Sequence, residues 1–394
     1  MIDRTKVWTG GLNAHVLEAG GLRVGLYDTT LRDGEQTVGV VLAPEQKLEI
    51  ARLVDSLGVD RIEVGFPRVS DEDRRAIELV VGAGLKAELW GFSRAVVDDV
   101  EAILELGLAH TVIEAPVSDL KLNALGVPRE RMLGRIEEAV ATATAAGVRV
   151  AFFGVDGSRA DLDFLAEVYE RAVAAGAEEV VVVDTLGIAA PESVAYLVRA
   201  IVDVVGPAVP VHFHGHDDFG LATAAAVAAV RAGARWLHGT VNGMGERAGN
   251  ANLCELALAL EALYGFETGL RLERTVAVAH RVAELAGYAM EPWKPLVGRN
   301  LFRRETGAVA AQFHDPPAVE PYSSELVGAE RGIVLGKKSG IDSVRIKTRE
   351  LGLDLTDDRL RDLLAAVKKR ATRTRGLVDD EELRGLLADV EVQA

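Results

Sequence analysis

Cysteine is almost missing: Cys254 is the single one in 394 residues. That excludes an internal disulfide and any multi-thiolate zinc site within one chain. An excess of basic residues is also missing, since 44 Lys+Arg face 60 Asp+Glu for a formal charge of −16. Nucleic acid and anionic membranes repel such a surface, so neither is expected as a partner. No stretch approaches the roughly 20 uninterrupted apolar residues that span a bilayer. The first twenty residues carry Asp3, Arg4, Lys6 and Glu18 and no apolar run suited to a signal sequence. A cytoplasmic, reduced protein is the expectation. No G-x-G-x-x-G follows the first candidate strand, which leaves a dinucleotide fold without support.

What is present is a core-forming composition, 49% apolar and 26% charged, over a length that suits two domains or one large barrel with an appendage. A β-branched or apolar run, a turn and an amphipathic stretch recur. The runs are Leu22–Asp28, Arg61–Phe66, Lys86–Phe92, Thr111–Val117, Arg149–Val155, Glu179–Thr185, Val209–Gly215 and Trp236–Gly243. Between the first two, Pro44–Leu57 reads as a helix, with Pro44 at its first position, Gly58 as its cap and a stripe of Ile50, Leu53, Val54 and Leu57. Strands apolar on both faces that alternate with helices pair in parallel with right-handed crossovers. Eight such units predict an α/β fold, a (β/α)8 TIM barrel over residues 1–270, with a doubly wound sheet as runner-up. Residues 271–394 form a smaller, mainly helical C-terminal region: a helical pattern over Thr275–Gly287, an irregular segment Glu291–Gly340 and a charged helical tail. A region this small is expected to bury its apolar face against the barrel or another subunit.

Barrel enzymes place their chemistry at the C-terminal ends of the strands, and these ends are polar. His212, His214 and His216 stand at i, i+2, i+4 of the seventh run and so share a face. His212 lies deeper and reads as structural. The first, seventh and eighth strands are contiguous in a closed barrel, so Asp33, His214, His216 and Asn250 can converge. Two imidazoles, a carboxylate and an amide oxygen suit Mn²⁺, Mg²⁺, Zn²⁺ or Co²⁺, with positions left for a chelating substrate. Glu63 and Arg94, one strand apart, read as a buried support pair, with direct substrate contact as the alternative. Gly34, Gly245 and Gly249 read as turn residues.

Three motifs carry a resemblance: "DTTLRDGEQ" at 28–36, "HFHGHDDFGLA" from His212 and "NGMGERAGN" at 242–250. In that order they resemble the DRE-TIM metallolyase superfamily, and most closely its homocitrate synthase/2-isopropylmalate synthase family. "KPLVGRNLF" and "ELVGAERGIVLGKKSG" extend the likeness into the C-terminal region. The resemblance implies metal binding by Asp33, His214, His216 and Asn250, enolate stabilisation by Arg32, and a 2-oxo acid lined by Gln36 and Thr185. It further implies acetyl-CoA as co-substrate, a place in amino-acid biosynthesis, and a homodimer that exchanges its C-terminal regions. Small molecules are thus the expected partners.

The chain departs from the family's pattern at proton-handling positions. Val155 stands where the family has a Glu, Val309 where it has a His, and Val319 where it has a Tyr. Valine neither accepts nor donates a proton. Three readings stay open: Asp156 and His314 supply the lost groups; the enzyme is a CoA-independent aldolase or lyase on a 2-oxo or 2-hydroxy acid; or the metal site persists without turnover. Homocitrate synthases hold a distal carboxylate with an Arg and a Ser on the fifth strand, where this chain has Ala151 and Phe153. With Val155 these make an apolar wall on alternate residues, and a buried carboxylate without a cation would cost several kcal/mol there. An apolar 2-oxo acid is therefore expected over 2-oxoglutarate, with Phe153 beside it. The alternative is that Phe153 only fills the core and Arg94 takes the carboxylate. The chain shows helices, not a leucine-regulatory domain, after the barrel, so leucine inhibition is not expected.

Overall fold

A computed structural model describes residues 2–17 and 21–393. Eight parallel strands close a barrel in sequence order: β1 (Gly25–Asp28), β2 (Arg61–Glu63), β3 (Glu88–Arg94), β4 (His110–Pro116), β5 (Arg149–Val155), β6 (Glu179–Asp184), β7 (Val211–Gly215) and β8 (Trp236–Gly239). β8 closes on β1 with Leu26 opposite Leu237 and Asp28 opposite Gly239. Helices follow the strands, beginning with α1 (Pro44–Leu57), whose Pro44 start and left-handed Gly58 cap occur as the sequence predicts. Inside the barrel, Tyr27, Trp90, Phe92, Val112, Ala151, Phe153, Val181 and Val183 form one buried cluster. It fills the barrel beneath the mouth, so the polar strand ends are held over a packed floor.

The floor's lower end is ionic. Arg61 lies between the Trp90 and Trp236 rings, 4.6 and 3.5 Å from their centroids, and binds Glu179 at 2.6 and 3.0 Å. His212 meets the same carboxylate at 2.5 Å and His238 at 3.1 Å. His212 is thus part of the barrel's interior bonding, as its depth in the run suggested.

Backbone contacts divide the described residues into two units, one within 13–289 with residue 2, the other of residues 3–12 with 290–393. The first unit runs past residue 270 because the helix Thr275–Ala286 packs on α1: Arg281 Nε binds Glu49 at 2.6 Å, and Gln46 Nε2 donates to the Leu285 carbonyl at 3.3 Å. The second unit carries the helices Ile341–Glu350, Asp357–Thr374 and Asp380–Gln393. Ile333, Leu335, Val344, Leu360, Leu363, Val367 and Leu383 bury one another there. Much of the apolar face expected to need cover from outside is therefore buried within this unit.

No helix among the described residues is long and apolar enough to cross a membrane.

Candidate active site at the barrel mouth

The loop after β1 is tied to the loop after β8. Thr29 donates its N–H to the Gly239 carbonyl at 3.0 Å, and Val241 N–H donates to Thr30 Oγ at 2.9 Å. Asp33 and Gly34 N–H both turn back onto the Thr29 carbonyl, at 2.9 and 3.0 Å. Thr37 Oγ accepts from Gly245 N–H at 2.8 Å. Buried Lys47 pairs with Glu35 and Asp73, fixing the outer part of the first loop. These bonds carry Asp33 to the end of β7. There His214 and His216 Nε2 lie 3.4 Å apart, and Asp33 Oδ2 is 3.4 and 3.8 Å from them. Asn250 pairs by backbone with His216 and donates Nδ2 to Asp33 Oδ1 at 3.0 Å and to the Met244 carbonyl at 2.9 Å. The structure therefore brings Asp33, His214, His216 and Asn250 together.

The protonation of this group follows from its surroundings. His216 Nδ1 lies 3.1 Å from the Gly249 carbonyl. A carbonyl only accepts, so Nδ1 carries the hydrogen and Nε2 keeps its lone pair. Burial drives the His214 imidazole down to about 3 and lowers His216 as well, so both are neutral at neutral pH. Burial alone would raise the Asp33 carboxyl, but the Arg32 guanidinium and the hydrogen bond from Asn250 oppose it, and it lies at about 2. An ionised carboxylate and two neutral imidazoles are the donors a borderline divalent cation takes. Asn250 Oδ1 is buried without a partner among the described residues, a state that costs about 1–3 kcal/mol unless something binds it. That orphaned oxygen beside the three ligand-type atoms is what fits the group to a metal.

Arg32 is the adjoining cation. Its Nε binds Glu63 at 2.6 Å, its Nη1 binds Asp33 Oδ2 at 3.0 Å, and its plane lies 4.2 Å from the Phe92 ring centroid. Its Nη2 is buried and has no partner among the described residues. The expected Glu63–Arg94 pair is not formed. Glu63 is taken by Arg32 and by Tyr27 Oη at 3.3 Å, while Arg94 binds Asp99 at 2.7 and 3.1 Å. Asp99 is five residues on, and the turn from β3 into the helix Val97–Glu105 brings it back against Arg94. Arg94 is therefore not an uncommitted cation for a substrate carboxylate.

The other expected residues fall in different places. Gln36 is exposed and, with Arg32, Phe66 and Phe92, lines a cavity of about 330 Å³. Phe153 is buried with its ring edge-on to His214 at 5.1 Å between centroids, so it both fills the core and borders the cluster. Thr185 Oγ accepts the Asp156 N–H at 2.7 Å. The Asp156 carboxylate is fully engaged: Ser118 Oγ donates to it, and Arg159 binds it at 2.8 and 2.7 Å. It braces the β5 turn, where Asp156 has a left-handed φ of 68°, and is not free to replace the lost Glu. His314 sits exposed in a turn of the other unit.

Sequence reasoning passed over Glu114, a carboxylate on β4 two residues beyond inward-facing Val112; its interruption of the apolar run was the available signal. Asp28, at the end of β1, does not pair with Arg32; it is buried against Thr30, which donates from N at 3.0 Å and Oγ at 2.7 Å.

Two tests follow from this geometry. A Cβ at Gly245, where φ is +151°, would lie 2.2 Å from Asn250 Nδ2 and 3.1 Å from Asp33 Oδ1. Gly245→Ala should weaken Mn²⁺ binding about 10-fold or more by moving both groups, as equilibrium titration would show; unchanged affinity would separate Asn250 from the metal group. Burial raises the Asp28 carboxyl from 3.8 to about 7. Between those values the folded state holds a proton that the unfolded state has lost, so stability from this group is full below the window and lost as pH rises through it. Asp28→Asn should therefore gain stability relative to wild type from pH 4 to 8, by about 4 kcal/mol, in urea unfolding. A flat difference would contradict the buried assignment.

An eight-stranded barrel with these groups at one mouth defines the chain as a barrel enzyme of the DRE-TIM metallolyase class. The HMGL-like family model matches residues 23–282, and the homocitrate synthase post-HMGL domain-like model matches 296–375. The chain is 42% identical to the putative (R)-citramalate synthase CimA of Methanopyrus kandleri, over 93% of this chain and 72% of that protein. It is 41% identical to the homocitrate synthase AksA of the same organism, over 93% and 92%. It is 39% identical to 2-isopropylmalate synthase 2 of Caldanaerobacter subterraneus subsp. tengcongensis, over 93% and 96%. Among solved structures, the HMG-CoA lyase of Bacillus subtilis superposes with a TM-score of 0.61 at 22% identity, covering 68% of this chain and 95% of that one, which is a likeness of fold. The chain belongs to the homocitrate synthase/2-isopropylmalate synthase family and is a carbon–carbon bond-forming acyltransferase.

Proposed function

We propose that the chain joins acetyl-CoA to an apolar 2-oxo acid in a metal-dependent Claisen condensation, with water releasing free CoA and a 2-alkylmalate-type product. The observation that carries this reading is the convergence of Asp33, His214 and His216 beside an Arg32 that keeps one donor unspent. Asp33, His214, His216 and Asn250 would hold the cation, which when bound supplies Lewis acidity toward the ketone oxygen of the oxo acid. Arg32 offers Nη2 to oxygen that gains negative charge as the new bond forms, from a site where water competes little. Glu63 and Phe92 hold the guanidinium in place, and Gln36 borders the cavity that opens beside it. Ala151, Phe153 and Val155 present the acceptor with an apolar wall, and Arg94 is committed to Asp99. The enzyme acts in the cytoplasm as a homodimer on this reading.

The engagement of Asp156 favours a second reading, a CoA-independent lyase, because it removes one candidate for the proton-transfer group. A thiol-release assay separates the two. With acetyl-CoA, Mn²⁺ and a panel of 2-oxo acids, CoA should appear fastest with 2-oxoisovalerate or bulkier apolar acids. Clear preference for 2-oxoglutarate would overturn the apolar assignment, and no CoA with any acid would favour the lyase.

A further inference from the structure

The condensation needs a base for the acyl-CoA α-carbon, and the positions that resemblance would fill with one hold valine. Glu114 stands on the neighbouring strand. Its backbone is in register with Phe153 on β5 and Arg94 on β3. Side chains two apart on a strand share a face, and Val112 belongs to the barrel-interior cluster with Phe92 and Phe153. Glu114 therefore points inward, one step nearer the mouth than Val112, beside the wall that Phe153 and Val155 form. It is half-buried. Among the described residues its carboxylate makes no hydrogen bond and no ion pair, unlike Asp156, Glu63 and Asp99.

The charged groups facing it are accounted for. Arg32 and Glu63, from the β1 loop and β2, are bound to each other; Arg94, from β3, is bound to Asp99; Lys121 comes from the helix after β4. Burial raises the Glu114 carboxyl against the pull of Arg32, Lys121 and Arg94, which makes it a stronger base than an ordinary carboxylate.

Resting on the condensation reading, we propose that Glu114 is the catalytic base that deprotonates the acyl-CoA. The α-carbon–hydrogen bond breaks, the proton passes to a Glu114 Oε, and the electron pair moves into the thioester carbonyl as an enolate. The enolate carbon then bonds to the ketone carbon of the oxo acid, whose oxygen takes a proton from water.

The test compares Glu114→Gln and Glu114→Asp with wild type in the thiol-release assay across pH, alongside calorimetric titration with Mn²⁺ and with the preferred 2-oxo acid. Glu114→Gln should lose about 100-fold or more in kcat, lose the acidic limb of the pH profile, and bind metal and oxo acid as wild type does. Glu114→Asp, with its carboxylate drawn back, should lie between the two and keep that limb. Glu114→Gln with kcat within about threefold of wild type, or with the acidic limb intact, overturns the assignment and leaves the condensation reading standing. Loss of metal and oxo acid binding in both variants makes Glu114 structural and also overturns it. Wild-type enzyme that releases no CoA overturns the condensation reading and the assignment with it.

Discussion

Asp33→Ala is expected to slow CoA release about 10³-fold or more and to abolish high-affinity Mn²⁺ binding. Asp33 is the one anion in a group whose other members are neutral imidazoles and an amide, and it is ionised because the Arg32 guanidinium and the Asn250 hydrogen bond oppose its burial. Its loss removes a ligand, the acceptor for Asn250 Nδ2 and a partner of Arg32 Nη1 together. His214→Ala, which leaves Asp33 in place, should weaken Mn²⁺ in the same titration. If Asp33→Ala keeps both Mn²⁺ affinity and turnover, the carboxylate belongs to the loop's internal bonding alone.

Arg32→Lys is expected to lower kcat about 10²- to 10³-fold, the scale of losing one preorganised donor at a developing oxyanion. The KM for the oxo acid should move much less. The ammonium retains the charge but cannot bind Glu63, Asp33 and a substrate oxygen at once in the planar arrangement of a guanidinium. Arg32→Met should add a stability loss of about 3–5 kcal/mol, because buried Glu63 would lose its ion-pair partner. Steady-state kinetics and urea unfolding read the two effects separately. Equal loss of kcat and of oxo acid binding in Arg32→Lys would place the guanidinium in ground-state binding instead.

The barrel was legible because its signal repeats. β5 coincides with its run, Arg149–Val155, and α1 with Pro44–Leu57; continuous apolar runs and capping residues mark both. β2 ends at Glu63, short of the run that reached Phe66. Hydrogen bonding to β3 continues beyond it, from Val64 N–H to Trp90 and from Phe92 N–H to Gly65, but Gly65 has φ +139° and leaves the extended conformation. The metal-type cluster was legible for a similar reason: residues at i and i+2 on a strand share a face, and closure makes β1, β7 and β8 neighbours.

Ion-pair partners were not legible. Whether Glu63 meets Arg32 or Arg94, and whether Asp156 faces the mouth or Ser118 and Arg159, depends on turn geometry after each strand. Residue spacing does not encode that choice. Glu114 is not legible either, because a lone carboxylate inside an apolar run carries no motif that marks it.

The account depends most on one cation held at the end of β7. Diffraction from Mn²⁺-soaked crystals, with anomalous scattering used to locate the metal, tests this directly. One peak per chain bonded to Asp33, His214 and His216, with Asn250 turned toward it, is the expected result. A protein that turns over with Mn²⁺ but shows its peak away from these side chains would contradict the account.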